Sequence, residues 1–307
     1  MRVLAHVHTL NDAGFIDQAL DGLRRQTRPP DGIVVVDNGS TDGTVDRTFP
    51  EGVAVIRNGM NLGTSGAIIK GLEHALEKGF DWTWLFDADS VPEPDALEKL
   101  LAFYESLPPA EQERICFLAC EMRNTESEVR HQPLRFTDSD LEFAAIDDDA
   151  PATQCDCFIW TGSLLRMKAV AKIGLPSADY VLDMAEVEYG FRARELGFRS
   201  YMVHGCINHQ DVGRPPGFAK GNWRFGPFSF RLLEFPPIRC YYYIRNMLYF
   251  WLYQFRPRRP RRMVRSIVHA VFYPRTFAVR PFSHGRQVIA CLRGLGDGLT
   301  GRIDRRY

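Results

Sequence analysis

The chain has 307 residues, 45% of them hydrophobic, with 38 basic and 38 acidic side chains and a neutral pI. That is enough apolar content to bury a full core, and the zero net charge excludes an electrostatic case for nucleic-acid binding. Seven cysteines with no CxxC pair argue against a disulfide frame or a zinc site and for reduced thiols, as expected in the cytoplasm.

Arg2–Thr9 reads as the first strand. Asn11 or Asp12 can cap a helix whose apolar face is Phe15, Ile16, Ala19, Leu20 and Leu23. The β-branched run GIVVVD (32–37) is continuously apolar, as in a strand covered on both faces. Further strands are predicted at Val53–Arg57, Trp82–Phe86 and Ile115–Cys120, with helices at Thr64–Lys78 and Pro94–Tyr104 between them. This alternation predicts an α/β fold built on a mostly parallel sheet with helices on both faces.

After about residue 123 the rhythm breaks. Residues 124–152 are polar and acidic (Asp138, Asp140, Glu142, Asp147, Asp148, Asp149), which suits a long loop or irregular hairpin. Order returns with CDCFIWTGSLLRM, a helix at Lys168–Ile173, LPSADYVLDMAEVEYGFRARELGF running from loop into helix, and the strand RSYMVHGCINH. The division expected is a catalytic domain over 1–235, with halves at about 1–123 and 150–235, and a helical extension over 236–307. In the extension, RCYYYIRNMLYFWLYQF is aromatic and is followed by Arg256, Arg258, Arg259, Arg261, Arg262 and Arg265, a pattern suited to a bilayer interface. No apolar stretch reaches the roughly 18 residues of a spanning helix.

Ligands of parallel α/β sheets collect at the carboxyl ends of the strands. Three polar clusters fall there. Asp37-Asn38-Gly39-Ser40-Thr41-Asp42-Gly43 is either an ordinary turn or a base- and ribose-binding loop. Asn61-Leu62-Gly63-Thr64-Ser65-Gly66-Ala67 lets a phosphate approach the start of a helix. Asp87-Ala88-Asp89 places two carboxylates on one side of an extended segment, where a divalent cation bridged by a diphosphate would relieve their repulsion. Each alone has a bland explanation; in this order they describe a nucleotide-sugar site.

QTRPPDGIVVVDNGSTDGT, NLGTSGAIIKGLEHA and WLFDADSVPEP together resemble the family-2 glycosyltransferases of the GT-A fold. The W-T-G at 160–162, the segment around Glu186, and YYYIRNMLYF resemble its galactofuranosyl- and rhamnosyltransferase-like branch. The resemblance implies an inverting, metal-dependent transfer from a UDP- or dTDP-sugar to a cell-surface glycan or lipid-linked acceptor, at the inner face of the membrane. It implies that Thr9, Asn11, Asp37, Asn38, Asn61, Gly63 and Asp87 bind the nucleotide sugar. Asp87, Asp89 and His209 would hold Mg2+ or Mn2+, and Trp160, Thr161 and Gly162 would meet the acceptor. Glu186 falls where relatives usually carry the Asp that acts as general base; Asp183 and Glu188 are its rivals, and Ala185 replaces a frequent second acid. Two alternatives stand beside this reading. A sugar-1-phosphate nucleotidyltransferase would want a basic, Gly-rich loop where this chain has HTLNDAGF, and a silent scaffold is favoured only by Ala185 and Glu186.

Overall fold

The computed structural model describes residues 1–124, 130–138, 140–210, 221–225, 228–232, 236–255 and 285–304. The arginine-rich run 256–265 lies outside them. The chain divides into two units, one of 1–135, 142–178 and 186–212, the other of 136–141, 179–185 and 213–307.

In the first unit, β1 (Val3–Thr9), α1 (Ile16–Arg24), β2 (Gly32–Asp37), β3 (Val53–Arg57), α2 (Gly63–Glu77) and β4 (Trp82–Asp87) alternate as the sequence predicts. Then come β5 (Ser90–Pro92), α3 (Ala96–Ser106), α4 (Pro109–Gln112) and β6 (Ile115–Asn124). Two three-residue strands, β7 (Leu134–Phe136) and β8 (Leu141–Phe143), form the hairpin of the acidic stretch. β9 (Ala152–Cys155), β10 (Ser163–Arg166), α5 (Met167–Ile173), α6 (Ala185–Glu195) and β11 (Arg199–Gln210) complete the series.

The main sheet has the order β3-β2-β1-β4-β10-β6-β11-β5, with β9 also paired to β11. β1, β2, β3 and β4 run parallel, and β6 and β11 are parallel to each other. β10 is antiparallel to both β4 and β6. Gly162, at φ +77°, turns the chain just before β10, a left-handed step for which glycine carries no Cβ penalty.

Period-two alternation inside the buried strands sorts the core into two layers. Val3, Ala5 and Val7 of β1, with Trp82, Trp84 and Phe86 of β4, face Ile16, Leu20 and Leu23 of α1 and Leu97, Leu100 and Tyr104 of α3. Leu4, Val34, Val36 and Leu85 face the opposite layer, with Ala67, Ile68, Leu72 and Ala75 of α2 and Met167, Ala169 and Val170 of α5. α1 departs from expectation at its start. Phe15 is 38% exposed, and no side chain caps the helix: the Asp12 carbonyl accepts from Phe15 and Ile16 instead.

In the second unit, β12 (Gly221–Phe225) and β13 (Phe228–Leu232) form a hairpin, α7 (Pro237–Tyr249) continues into a π-helical segment at Phe250–Phe255, and α8 is Gly285–Leu299. α7 and α8 touch at backbone distance: a Cβ on Gly294 would sit 2.5 Å from the Tyr241 carbonyl oxygen. Arg245 is fully buried, stacked on Tyr241 and Tyr242. Among the described residues, no helix is long and apolar enough to cross a membrane, and all seven cysteines are free.

Candidate active site

The parallel registers bring Thr9 level with Asp37, Asp37 level with Arg57, and His8 level with Asp87. The loops that follow β1, β2, β3 and β4 therefore leave the sheet at one edge, and they are tied to each other. Thr9 Oγ1 and the Leu10 amide donate to Asp12 Oδ2, both at 2.9 Å. Asn11 sits at φ 60°, a left-handed conformation that Asn tolerates better than most residues. Its amide donates to Ser40 Oγ at 2.9 Å, and its side-chain oxygen accepts from the Thr41 amide at 2.8 Å.

Asp37 is only 3% exposed, and its Oδ1 accepts from the Ser40 amide at 3.0 Å. Asn38 donates to the Gly63 carbonyl at 3.0 Å and accepts from Asn58 at 2.9 Å, while Asn61 Oδ1 accepts from the Gly63 amide at 2.8 Å. The structure thus gathers Thr9, Asn11, Asp37, Asn38, Asn61 and Gly63, with Gly63 opening α2. These bonds pre-order loops whose backbone N–H groups sit at the start of that helix, a place where phosphate is favoured.

Asp87 ends β4, and Asp89 stands in the turn between β4 and β5. His8 Nε2 lies 2.7 Å from Asp87 Oδ1, and Gln210 Nε2 donates to Asp87 Oδ2 at 3.0 Å. Burial opposes a charge on His8, yet the Asp87 carboxylate, helped by Asp12 and Asp89, outweighs it and moves its pKa up. Asp89 shows the complementary effect. Burial first, then the charges of Asp87 and Asp12, push it up to about 7. Its Oδ1 is buried with no hydrogen-bond partner.

A crowded carboxylate with an unused oxygen beside a second carboxylate is a fitting seat for a hard cation. Among the described residues no group of three or more His, Cys, Asp or Glu is placed to hold a metal ion by itself. Mg2+ and Mn2+ at diphosphate sites need only one or two protein carboxylates, the remaining ligands being phosphate oxygens and water.

His209, expected as a metal ligand, is placed elsewhere. Its Nε2 lies 3.2 Å from Glu93 Oε1. Successive strand residues face opposite sides, so it is Gln210 that reaches the Asp pair. Trp160, Thr161 and Gly162 also take a different place from the acceptor-facing one expected. Thr161 is fully buried; its Oγ1 accepts from the Asp87 amide at 3.1 Å and donates to Ser90 Oγ at 2.9 Å. Gly162 donates its N–H to the Leu85 carbonyl and accepts from Trp84 Nε1, and Trp160 is 7% exposed against Tyr189. The motif supports the Asp-Ala-Asp turn from inside the fold.

The three candidate bases are separated by their partners. Glu188 is 3% exposed and held through both oxygens by Arg192, whose other N–H groups cap the Ile173 and Leu175 carbonyls. Asp183, at φ 57°, is held through both oxygens by Arg239, at 2.9 and 3.2 Å. Glu186, half-buried, stands in the first turn of α6, where the helix dipole favours an acid. Asn246 of α7 donates to the Leu182 and Asp183 carbonyls, and Arg245 donates to the Asp179 carbonyl. YYYIRN therefore grips the segment that leads into α6. Sequence reasoning missed His8, Asp12 and Gln210; the HxH spacing in β1 was the one local sign that His8 shares a face with His6.

A model of the Glycosyl transferase family 2 matches residues 5–174, more than half of the chain. The chain is a family-2 glycosyltransferase. This glycosyltransferase is 32% identical over 195 residues to the galactofuranosyltransferase GlfT1 of Mycobacterium tuberculosis, covering 61% of this chain and 62% of the relative's length. It is 34% identical over 106 residues to the undecaprenyl-phosphate mannosyltransferase of Micrococcus luteus, covering 33% of this chain and 43% of that one. Among solved structures it is similar in fold to S. aureus TarS in complex with UDP-GlcNAc, with a TM-score of 0.57 at 16% identity, over 99% of this chain and 83% of that one. GalNAc-T7 with UDP, GalNAc and Mn2+ superposes with a TM-score of 0.55 at 12% identity, over 70% and 45% of the two chains. The glycosyltransferase fold is thus GT-A.

Proposed function

We propose that this glycosyltransferase moves a sugar, galactofuranose or rhamnose, from a UDP- or dTDP-sugar to a hydroxyl of a cell-surface glycan or lipid-linked acceptor, with inversion at the anomeric carbon. The observation that carries the donor half is the Asp87–Asp89 pair: a half-buried Asp89 whose Oδ1 is buried without a partner, in the same unit as the hydrogen-bonded loops after β1 and β2. The sugar and the acceptor class rest on likeness to the galactofuranosyl- and mannosyltransferases.

Asp87 and Asp89 would hold Mg2+ or Mn2+. Bound there, the cation supplies Lewis-acid neutralisation of charge on the diphosphate leaving group. Asp37 and the loops around Asn11 and Asn38 hold the nucleoside, and the start of α2 takes the diphosphate. Glu186 accepts the proton of the acceptor hydroxyl as that oxygen attacks the face of the anomeric carbon opposite the leaving group. The assignment rests on its place in the first turn of α6, where the relatives carry their base; arginines held on both oxygens of Asp183 and of Glu188 argue against those two. A single displacement inverts the centre and requires no covalent nucleophile.

α8 supports a membrane-side acceptor. Ile289, Leu292 and Leu299 are more than half exposed on one stripe, with Arg286 and Arg293 exposed along it. The test is release of free nucleoside diphosphate from a panel of UDP- and dTDP-sugars with Mn2+ or Mg2+ and a lipid-linked glycan. Metal-dependent release from one donor is expected, together with at least a ~10³-fold lower kcat and unchanged donor binding in Glu186→Gln. No release and no metal-dependent binding of any donor overturns the reading. Full activity of Glu186→Gln removes the base assignment alone.

A further inference from the structure

Asp87 is held from two other strands at once. Both of its oxygens are engaged by side chains from other strands: His8 Nε2 at 2.7 Å from β1, and Gln210 Nε2 at 3.0 Å from the end of β11. Its amide is anchored on Thr161 Oγ1 at 3.1 Å. Two residues on, Asp89 Oδ1 is buried and has no partner at all. The contrast is chemical as well as geometric: each Asp87 oxygen takes one N–H donor and keeps a second lone pair, while Asp89 Oδ1 takes none.

We propose that His8 and Gln210 are positioning residues for the cation–diphosphate of the donor, fixing the Asp87 carboxylate so that Asp89 presents the open coordinating oxygen. The proposal rests on the donor reading above. Left unheld, two adjacent carboxylates would swing apart under their own repulsion, and a cation would have to reassemble the pair. Hydrogen bonds to both oxygens of one of them remove that freedom beforehand. Groups that orient a metal's carboxylates in this way are worth roughly 10–100-fold in metal affinity.

The register makes the device possible. His8 and Asp87 are parallel-strand partners, so their side chains leave the sheet on the same face. Gln210 arrives from a strand that pairs with β5, directly after the Asp-Ala-Asp turn, at Ser90. His209, one position earlier, is engaged by Glu93 and could not serve both.

The test uses the full chain, with Mn2+ and either UDP or dTDP as the probe, reading unbound Mn2+ by its paramagnetic resonance signal. His8→Leu keeps bulk and loses the donor; His8→Gln restores an amide N–H near the position of Nε2. Gln210→Leu, at a strand end, tests the second arm should His8→Leu not fold. Expected are a ~10–100-fold weaker Mn2+ affinity in His8→Leu and Gln210→Leu, recovery to within threefold in His8→Gln, and unchanged nucleotide binding in EDTA. Variants that bind Mn2+ within twofold of the parent overturn the proposal while leaving the donor reading intact. Equal losses in His8→Leu and His8→Gln also overturn it, since a packing role would not distinguish the two. A parent chain that binds no Mn2+ with either nucleotide removes the donor reading and this proposal together.

Discussion

At the scale of single residues, the strand β1 carries two histidines with opposite fates. His8, level with Asp87, is drawn toward its charged form. His6, two residues deeper on the same face, is fully buried with no partner at either ring nitrogen. Burial first, then the charges of His8 and His74, hold its pKa well below the usual 6.5. Folding therefore favours neutral His6, whereas the unfolded chain takes up a proton near pH 6.5. The stability that His6 contributes is complete above that pH and is lost as pH falls below it, by up to ~1.4 kcal/mol per pH unit. His8 has the opposite sign, so the comparison must isolate one ring. Urea unfolding of His6→Leu between pH 7 and 5 is expected to decline less steeply than that of the parent; parallel declines would mean His6 is not titrating.

At the scale of elements, the hydrophobic patterns fixed which segments are strands and helices, but the seating of α6 depends on a single absent methyl. A Cβ on Gly190 would lie 2.1 Å from the Asp156 backbone oxygen and 3.0 Å from Cys157 Sγ. Neither the backbone nor a buried thiol can yield cheaply. Gly190→Ala is expected to destabilise the fold by ~2–3 kcal/mol, lowering the melting temperature by roughly 5–10 °C. Gly14→Ala, whose Cβ would meet nothing within 4 Å, is the control and should stay near the parent. The same contact shows why Gly appears in the EVEYGFR stretch, where helical propensity alone argues against it.

At the scale of the whole molecule, charge is distributed along the sequence rather than accumulated. No Asp or Glu occurs between Glu234 and Asp297, while arginines recur throughout that span. At the end of that span, α8 packs its small residues on α7 and leaves Ile289, Leu292 and Leu299 exposed at 52%, 62% and 51%. An apolar stripe beside arginines suits an anionic lipid surface, where burial of side chains and attraction to head groups add. Flotation with vesicles is expected to recover the full chain with anionic lipid and not with neutral lipid, less at high salt, and less again in Leu292→Glu. Equal recovery with neutral vesicles would rule out a role for the arginines.

Much of this protein was legible in its residues. Alternation of buried strands and amphipathic helices is local, so a window of ten residues suffices to see it, and it gave the α/β fold. The polar clusters Asp37–Gly43, Asn61–Ala67 and Asp87–Asp89 could be read together as one candidate site because parallel strands all present their carboxyl ends at one edge. Partnership was not legible. His8 meets Asp87 across 79 positions and Gln210 meets it across 123, and nothing local records such pairings. Whether His209 or Gln210 faces the Asp pair is a question of one residue of strand register. Whether Thr161 meets an acceptor or holds the Asp87 amide depends on an antiparallel strand slipped between β4 and β6. That Glu188 and Asp183 are held by arginines depends on where Arg192 and Arg239 come to lie. The sequence by itself determined the chemistry available at the strand ends; only tertiary structure decided which atoms are spent on each other, because hydrogen bonds and ion pairs form between neighbours in space.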